Sequence, residues 1–193
     1  MAILKVAILG NPVLRKIARP VALKDIRSRK FQALIDSMIE TMTEYDGVGI
    51  AAPQVNVSKQ ILVLRVRNNR RYPNAPRVPL TVLINPHITP LSDEMESDFE
   101  GCLSVPNLSG AVPRFLRIRV EALNRRGKKV SFVAKGFHAR VIQHENDHLQ
   151  GKVFIDRMTD LTTLTYLAVS LARENAPVKK SPGGRRLPPS LRR

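Results

Sequence analysis

Gln143-His144-Glu145-Asn146-Asp147-His148-Leu149 carries the pattern His-Glu-x-x-His. On an α-helix a residue and its fourth successor share one face, so His144 and His148 can reach a single ion. Glu145 stands beside the first of them and can lean over the ion's open side. Two imidazoles and a carboxylate base form the donor set of metal-assisted hydrolysis. Phe137 and Val141 sit above the two His at helical spacing. Gly136–Leu149 therefore reads as a buried helix with its ligands turned to the core, and Gly151 as the glycine just past its end. The motif leaves the third ligand open. A metzincin continues to a glycine and a third His; Gly151 fits, but Phe154 stands where that His is needed. Other zincins close the site with a downstream Glu, and Glu174 is the only one available. Upstream lies Cys102, the only cysteine of the chain, in Glu100-Gly101-Cys102-Leu103-Ser104.

At 193 residues the chain is long enough for one domain with a sizeable core. No apolar run approaches the ~20 residues that span a membrane, and Met1–Val6 lacks the apolar region of a signal peptide. One cysteine excludes an internal disulfide, and a thiolate ligand suits a reducing compartment. The expected location is cytoplasmic, of bacterial type; an organelle form freed of its presequence fits the same letters. The net charge of +16 favours polyanionic partners. Six basic residues, four prolines, two glycines and no acid lie between Pro177 and Arg193. Without those six charges the rest still carries +10. Residues 1–175 are expected to form one catalytic domain, and 176–193 a basic, disordered tail.

Along the chain, Asn11-Pro12 reads as a helix start, with a short helix through Ala18. Phe31, Leu34, Ile35, Met38, Ile39 and Met42 mark one face of an amphipathic helix over 28–45. Ile61–Leu64 is a buried strand, 68–79 a polar loop, and Leu80–Asn85 a strand stopped at Pro86. Asp93–Glu100 is a dense acidic patch. Arg117–Ala122 alternates with period two and returns, after the turn Arg125-Arg126-Gly127, as Lys129–Ala134. Cys102 thus belongs to a sheet region. Val153–Ile155 reads as a strand, and Asp160 as the cap of a last helix through Leu171. The fold class is α+β: short antiparallel sheets packed around the central metal-binding helix, with a C-terminal helix.

Taken together, three stretches resemble the peptide deformylase family. Gly47-Val48-Gly49-Ile50-Ala51-Ala52-Pro53-Gln54 matches its Gly-x-Gly-apolar-Ala-Ala-x-Gln motif. Glu100–Ser104 matches Glu-Gly-Cys-Leu-Ser, and Gln143–His148 matches Gln-His-Glu-x-Asp-His. All three are complete and in order, and Ile8–Arg15 resembles the family's N-terminal segment. The resemblance covers roughly residues 5–160.

The resemblance implies a hydrolase that removes the formyl group from the N-terminal methionine of new polypeptides, releasing formate. It makes Cys102, His144 and His148 the metal ligands. Fe²⁺ is favoured natively, with Zn²⁺, Ni²⁺ or Co²⁺ able to stand in. Glu145 becomes the general base; the Leu103 N–H and the Gln54 amide become the oxyanion donors. The backbone of Val48, Gly49 and Ile50 would pair with the peptide, Gly101 taking its other side, and Val141 would wall the methionine pocket. Glu100 and Arg114 are candidates for a structural pair. Ser109 stands where members of the family often carry an Arg that helps hold the peptide, which leaves preference beyond methionine open. Two rivals remain at this point. A zinc endopeptidase would need a third ligand after His148. A nucleic-acid or ribosome-binding module would explain the charge but not the motifs.

Overall fold

Ser28 accepts the Phe31 N–H and so caps the helix that the apolar spacing of 28–45 predicts. The structure, a computed structural model, describes residues 2–67, 72 and 75–174. A helical turn, α1 (Leu23–Ile26), leads into that helix, α2 (Arg29–Glu44). Three short or medium strands follow: β1 (Gly49–Ala51), β2 (Ile61–Val66) and β3 (Val78–Pro90). After them come β4 (Met95–Cys102), β5 (Val105–Phe115), β6 (Arg117–Leu123) and β7 (Lys129–Lys135). The motif helix α3 (Gly136–Leu149), β8 (Thr165–Tyr166) and α4 (Leu167–Glu174) complete the order. Among the described residues the named strands all pair antiparallel. One sheet has the order β1-β2-β3-β6-β7, the other β4-β5-β8.

The side-chain alternation of β2 shows why it is buried on both faces. Leu62 and Leu64 join Ile142 and Leu149 of α3, whereas Ile61 and Val63 join Ile35, Met38 and Met42 of α2. The five-stranded sheet is therefore covered by a helix on each side. A third cluster, Val105, Val112, Val153 and Phe154, packs around Cys102. The motif helix thus lies between the two sheets, touching β1, β2, β3, β6 and β7 of one and β5 of the other. Gly136 makes the turn from β7 into α3 with φ of 53°, a left-handed value that glycine adopts freely. Gly151 ends the helix as expected, at φ 71°. A Cβ there would sit 2.8 Å from the Arg15 carbonyl, so its bareness also admits the N-terminal turn.

Several local expectations are corrected. Pro12 opens a 3-10 turn that stops at Arg15, because Ala18 N–H is drawn to the Leu149 carbonyl at 2.8 Å. Pro86 does not end its strand. The ladder shifts register between Ile84 and His87, Asn85 takes φ of 51°, and β3 runs on to Pro90; a bulge tolerates a residue without an N–H. The acidic stretch is strand β4, and β5 had no sequence signal. Val153–Ile155 is not a strand: Phe154–Arg157 form a 3-10 turn, with Asp156 accepting the Val153 N–H at 2.8 Å. Asp160 caps only the 3-10 turn Leu161–Thr163, and the C-terminal helix starts later, at Leu167. The hairpin β6–β7 forms in the expected place with Arg117 opposite Lys135. Half of the 68–79 loop, and the tail from 175 onward, lie outside the described residues; Val78 and Pro79, expected in that loop, already belong to β3.

Candidate metal centre and active site

Helical spacing brings His144 and His148 to one face of α3, and the end of β4 brings Cys102 to meet them. The Cys102 Sγ and one nitrogen from each imidazole lie within 4.8 Å of one another, all buried. His144 Nδ1 lies 2.8 Å from a Glu100 carboxylate oxygen, which can only accept, so Nδ1 carries the proton and Nε2 is left for a cation. Cys102 Sγ stands 3.3 Å from His148 Nε2, close to the ~3.5 Å that a tetrahedral Zn²⁺ with ordinary Zn–S and Zn–N lengths sets between two ligands. Burial opposes ionisation of the Cys102 thiol, but His148 and His144 outweigh it and hold the thiol well below its usual range. A thiolate and two aligned imidazoles fit a divalent cation. Among the described residues Cys102 is the third donor brought to the pair, which favours the upstream candidate over the endopeptidase reading.

Glu145 is buried beside these ligands. Its Oε2 makes no hydrogen bond among the described residues, and burial pushes its carboxyl up to about 7, against the pull of His144 and His148. Gly49 explains how it fits. A Cβ on Gly49 would overlap Glu145 Oε1 and come within 2.8 Å of Cγ and Cδ. Gln54 is buried, its Oε1 accepting the Ala51 N–H at 2.8 Å. That bond turns Nε2 toward Ser104 Oγ and Cys102 Sγ, at 3.3 and 3.5 Å. Leu103 lies next to the sulfur, and the Ser104 N–H donates to Sγ at 3.4 Å.

One hollow joins most of the predicted residues: Val48, Gly49, Gln54, Gly101, Cys102, Leu103, Val141, His144 and Glu145 line it. Ile50 differs, because its side chain is fully buried against α2, so only its backbone can serve a peptide. Sequence reasoning missed Tyr72 and Arg140 on the wall and gave Phe137 only a packing role. The Tyr72 and Phe137 rings pack with centroids 4.9 Å apart and planes tilted by 55°. Phe137 carried a signal, one helical turn before Val141; Tyr72, from a polar loop, carried none.

The expected Glu100–Arg114 pair is the centre of a larger buried network. Arg114 Nε and Nη2 donate to the two Glu100 oxygens at 2.9 Å each, and Nη1 donates to Asp147 at 2.6 Å. Arg140 adds a bond to Glu100 at 3.0 Å and holds the Glu96 carbonyl of β4 at 2.7 Å. Burial works against the Glu100 charge, but Arg114 and His144 prevail and hold its pKa at about 2. Gln143 bonds both the N–H and the carbonyl of Phe115, at 3.1 and 2.9 Å, pinning α3 to the end of β5. Ser109 is buried between Gly101 of β4 and Thr165 of β8.

Residues 3–163 match the family model described as polypeptide deformylase. The chain belongs to the peptide deformylase family. A peptide deformylase 1 from Bordetella pertussis is 49% identical over 168 residues, which is 87% of this chain and 93% of that protein. A class I type b peptide deformylase from Acinetobacter baumannii, solved with Met-Ala-Ser bound, is 44% identical. It superposes with a TM-score of 0.79 over 81% of this chain and 99% of its own. The Thermotoga maritima peptide deformylase superposes with a TM-score of 0.74 at 39% identity, covering 83% of this chain and all of its own. Peptide deformylases are metal-dependent hydrolases, and the activity of this chain is removal of the formyl group from the N-terminal methionine of newly made polypeptides. Among the described residues no helix is long and apolar enough to cross a membrane.

Proposed function

We infer that Cys102, His144 and His148 hold one divalent cation, natively Fe²⁺, with Zn²⁺, Ni²⁺ or Co²⁺ able to replace it. The observation that carries this reading is the convergence of their three donor atoms within 4.8 Å, with the free Oε2 of Glu145 beside them. The cation, when bound, acidifies water and polarises the formyl carbonyl. Glu145 takes the proton of the attacking water and later delivers it to the leaving amine. Its raised pKa suits a group that must both accept and return a proton near neutrality. Gln54 Nε2 and the Leu103 N–H receive the negative charge that grows on the carbonyl oxygen. Glu100 keeps His144 turned to the cation, Arg114 keeps Glu100 ionised, and Arg140 ties it to the Glu96 carbonyl of β4.

The formyl-methionyl peptide lies extended between the edge strand β1, at Val48–Ile50, and Gly101 of β4. Its methionine side chain enters the hollow of Val48, Phe137 and Val141. Residues 1–175 act as one catalytic domain in the cytoplasm, and the basic segment 176–193 favours encounter with the ribosome. Single variants test the ligand set. Cys102→Ser, His144→Ala and His148→Ala should each lose most bound metal by elemental analysis; full metal content in any one of them removes that residue from the set.

A further inference from the structure

Two hollows meet at Cys102 and Leu103. One is the methionine hollow beside α3. The other, about 260 Å³, opens toward the N-terminal segment, and its walls include Ile8, Leu103, Leu108 and Leu167. Leu167 belongs to none of the three motifs. Strand β8 delivers it: Thr165 and Tyr166 pair with Ser109 and Leu108 of β5, and Ser109 itself lies opposite Gly101 of β4. The first residue of α4 therefore lands over the bare face of Gly101. Leu167 Cδ1 lies 3.5 Å from where a Cβ on Gly101 would stand, an ordinary van der Waals contact.

The geometry points to Leu167 as a specificity-determining residue: with Leu103 and Leu108 it seats the side chain of the residue that follows the formylated methionine. This rests on the peptide path given under Proposed function. An extended chain sends successive side chains to opposite faces. With the methionine turned toward α3, the second side chain faces away from α3, into the hollow that Leu167 walls. That hollow is mainly aliphatic and aromatic, and its one cation, Lys5, disfavours a basic residue there. The enzyme therefore selects an apolar second residue.

The test compares formate release from formyl-Met-Leu-Ser and formyl-Met-Ser-Ser by the full-length, metal-loaded protein. A snug pocket discriminates one methylene by ~10–200-fold, so a half-open seat should favour the leucine peptide by about three- to tenfold in kcat/KM. Leu167→Ser should bring that ratio close to one, with the change in KM, and Leu167→Met should keep it. A purely structural loss would depress both peptides alike and leave the ratio intact. An unchanged ratio in Leu167→Ser, or no preference in the wild type, overturns the proposal. No formate from either peptide with the wild type would instead overturn the peptide path and chemistry on which it rests.

Discussion

Glu145 and Gly49 show what a motif letter means at the scale of one residue. At Gly49, the second glycine of Gly47-Val48-Gly49, the backbone is approached closely by the Glu145 side chain. Glu145→Gln should keep its metal yet lose about 10²–10⁴ in kcat, because an amide cannot accept the water's proton. Formate release measured beside metal content checks this; near-wild-type turnover in the metal-replete variant would rule the role out. Gly49→Ala should also lose turnover, since its methyl must displace the carboxylate and a misplacement of ~1 Å can cost ~10²-fold. Wild-type kcat in that variant would mean Glu145 tolerates the shift. Cys102, His144, His148 and Gln54 were all legible as letters. The reasons for Gln143 and Asp147 were not, because their partners, Phe115 and Arg114, lie on β5, some 28 and 33 positions away.

At the scale of elements, periodic segments were readable and irregular ones were not. Helices α2 and α3 and the hairpin β6–β7 each repeat at their own period. Strand β5 holds Pro106, Gly110 and Pro113, which read as turn residues, and the outer half of β4 is exposed and acidic. What fixes these two strands against α3 is a charge network that no local pattern encodes. Arg114→Met should leave Glu100 to Arg140 and His144 and Asp147 to Arg157, so the loss should fall at or below the ~3–5 kcal/mol of a buried pair stripped of its only partner. Because Glu100 orients His144, metal affinity should also fall by ~10–100-fold. Denaturant unfolding and a metal-binding titration measure the two effects. A variant within ~0.5 kcal/mol of the wild type, the range of an ordinary surface change, would show that the network is not stabilising.

At the scale of the whole molecule, the net charge of +16 goes far beyond Arg114 and Arg140, which serve the buried site. The partner proposed for that charge is the polyanionic particle from which the substrate emerges. Residues 176–193 contribute six basic charges and no acid. Truncation at Asn175 should therefore leave kcat/KM on a short formyl-Met peptide unaltered while weakening ribosome binding at low salt. The salt slope should become shallower, since fewer counterions are released, and the attraction should fade as the Debye length contracts to about 8 Å at physiological ionic strength. Equal affinity and equal slope for the truncated and full-length chains would deny the tail that part. In the proposed chemistry of the buried site, one cation held by Cys102, His144 and His148 supports the removal of formyl from methionine. That chemistry is tested most directly by formate release from a formyl-Met-Ala-Ser peptide as divalent metal is titrated into metal-stripped protein. Formate release should rise with bound metal and saturate at one ion per chain; a chain carrying that one ion and releasing no formate would contradict the cation's role at that ligand set.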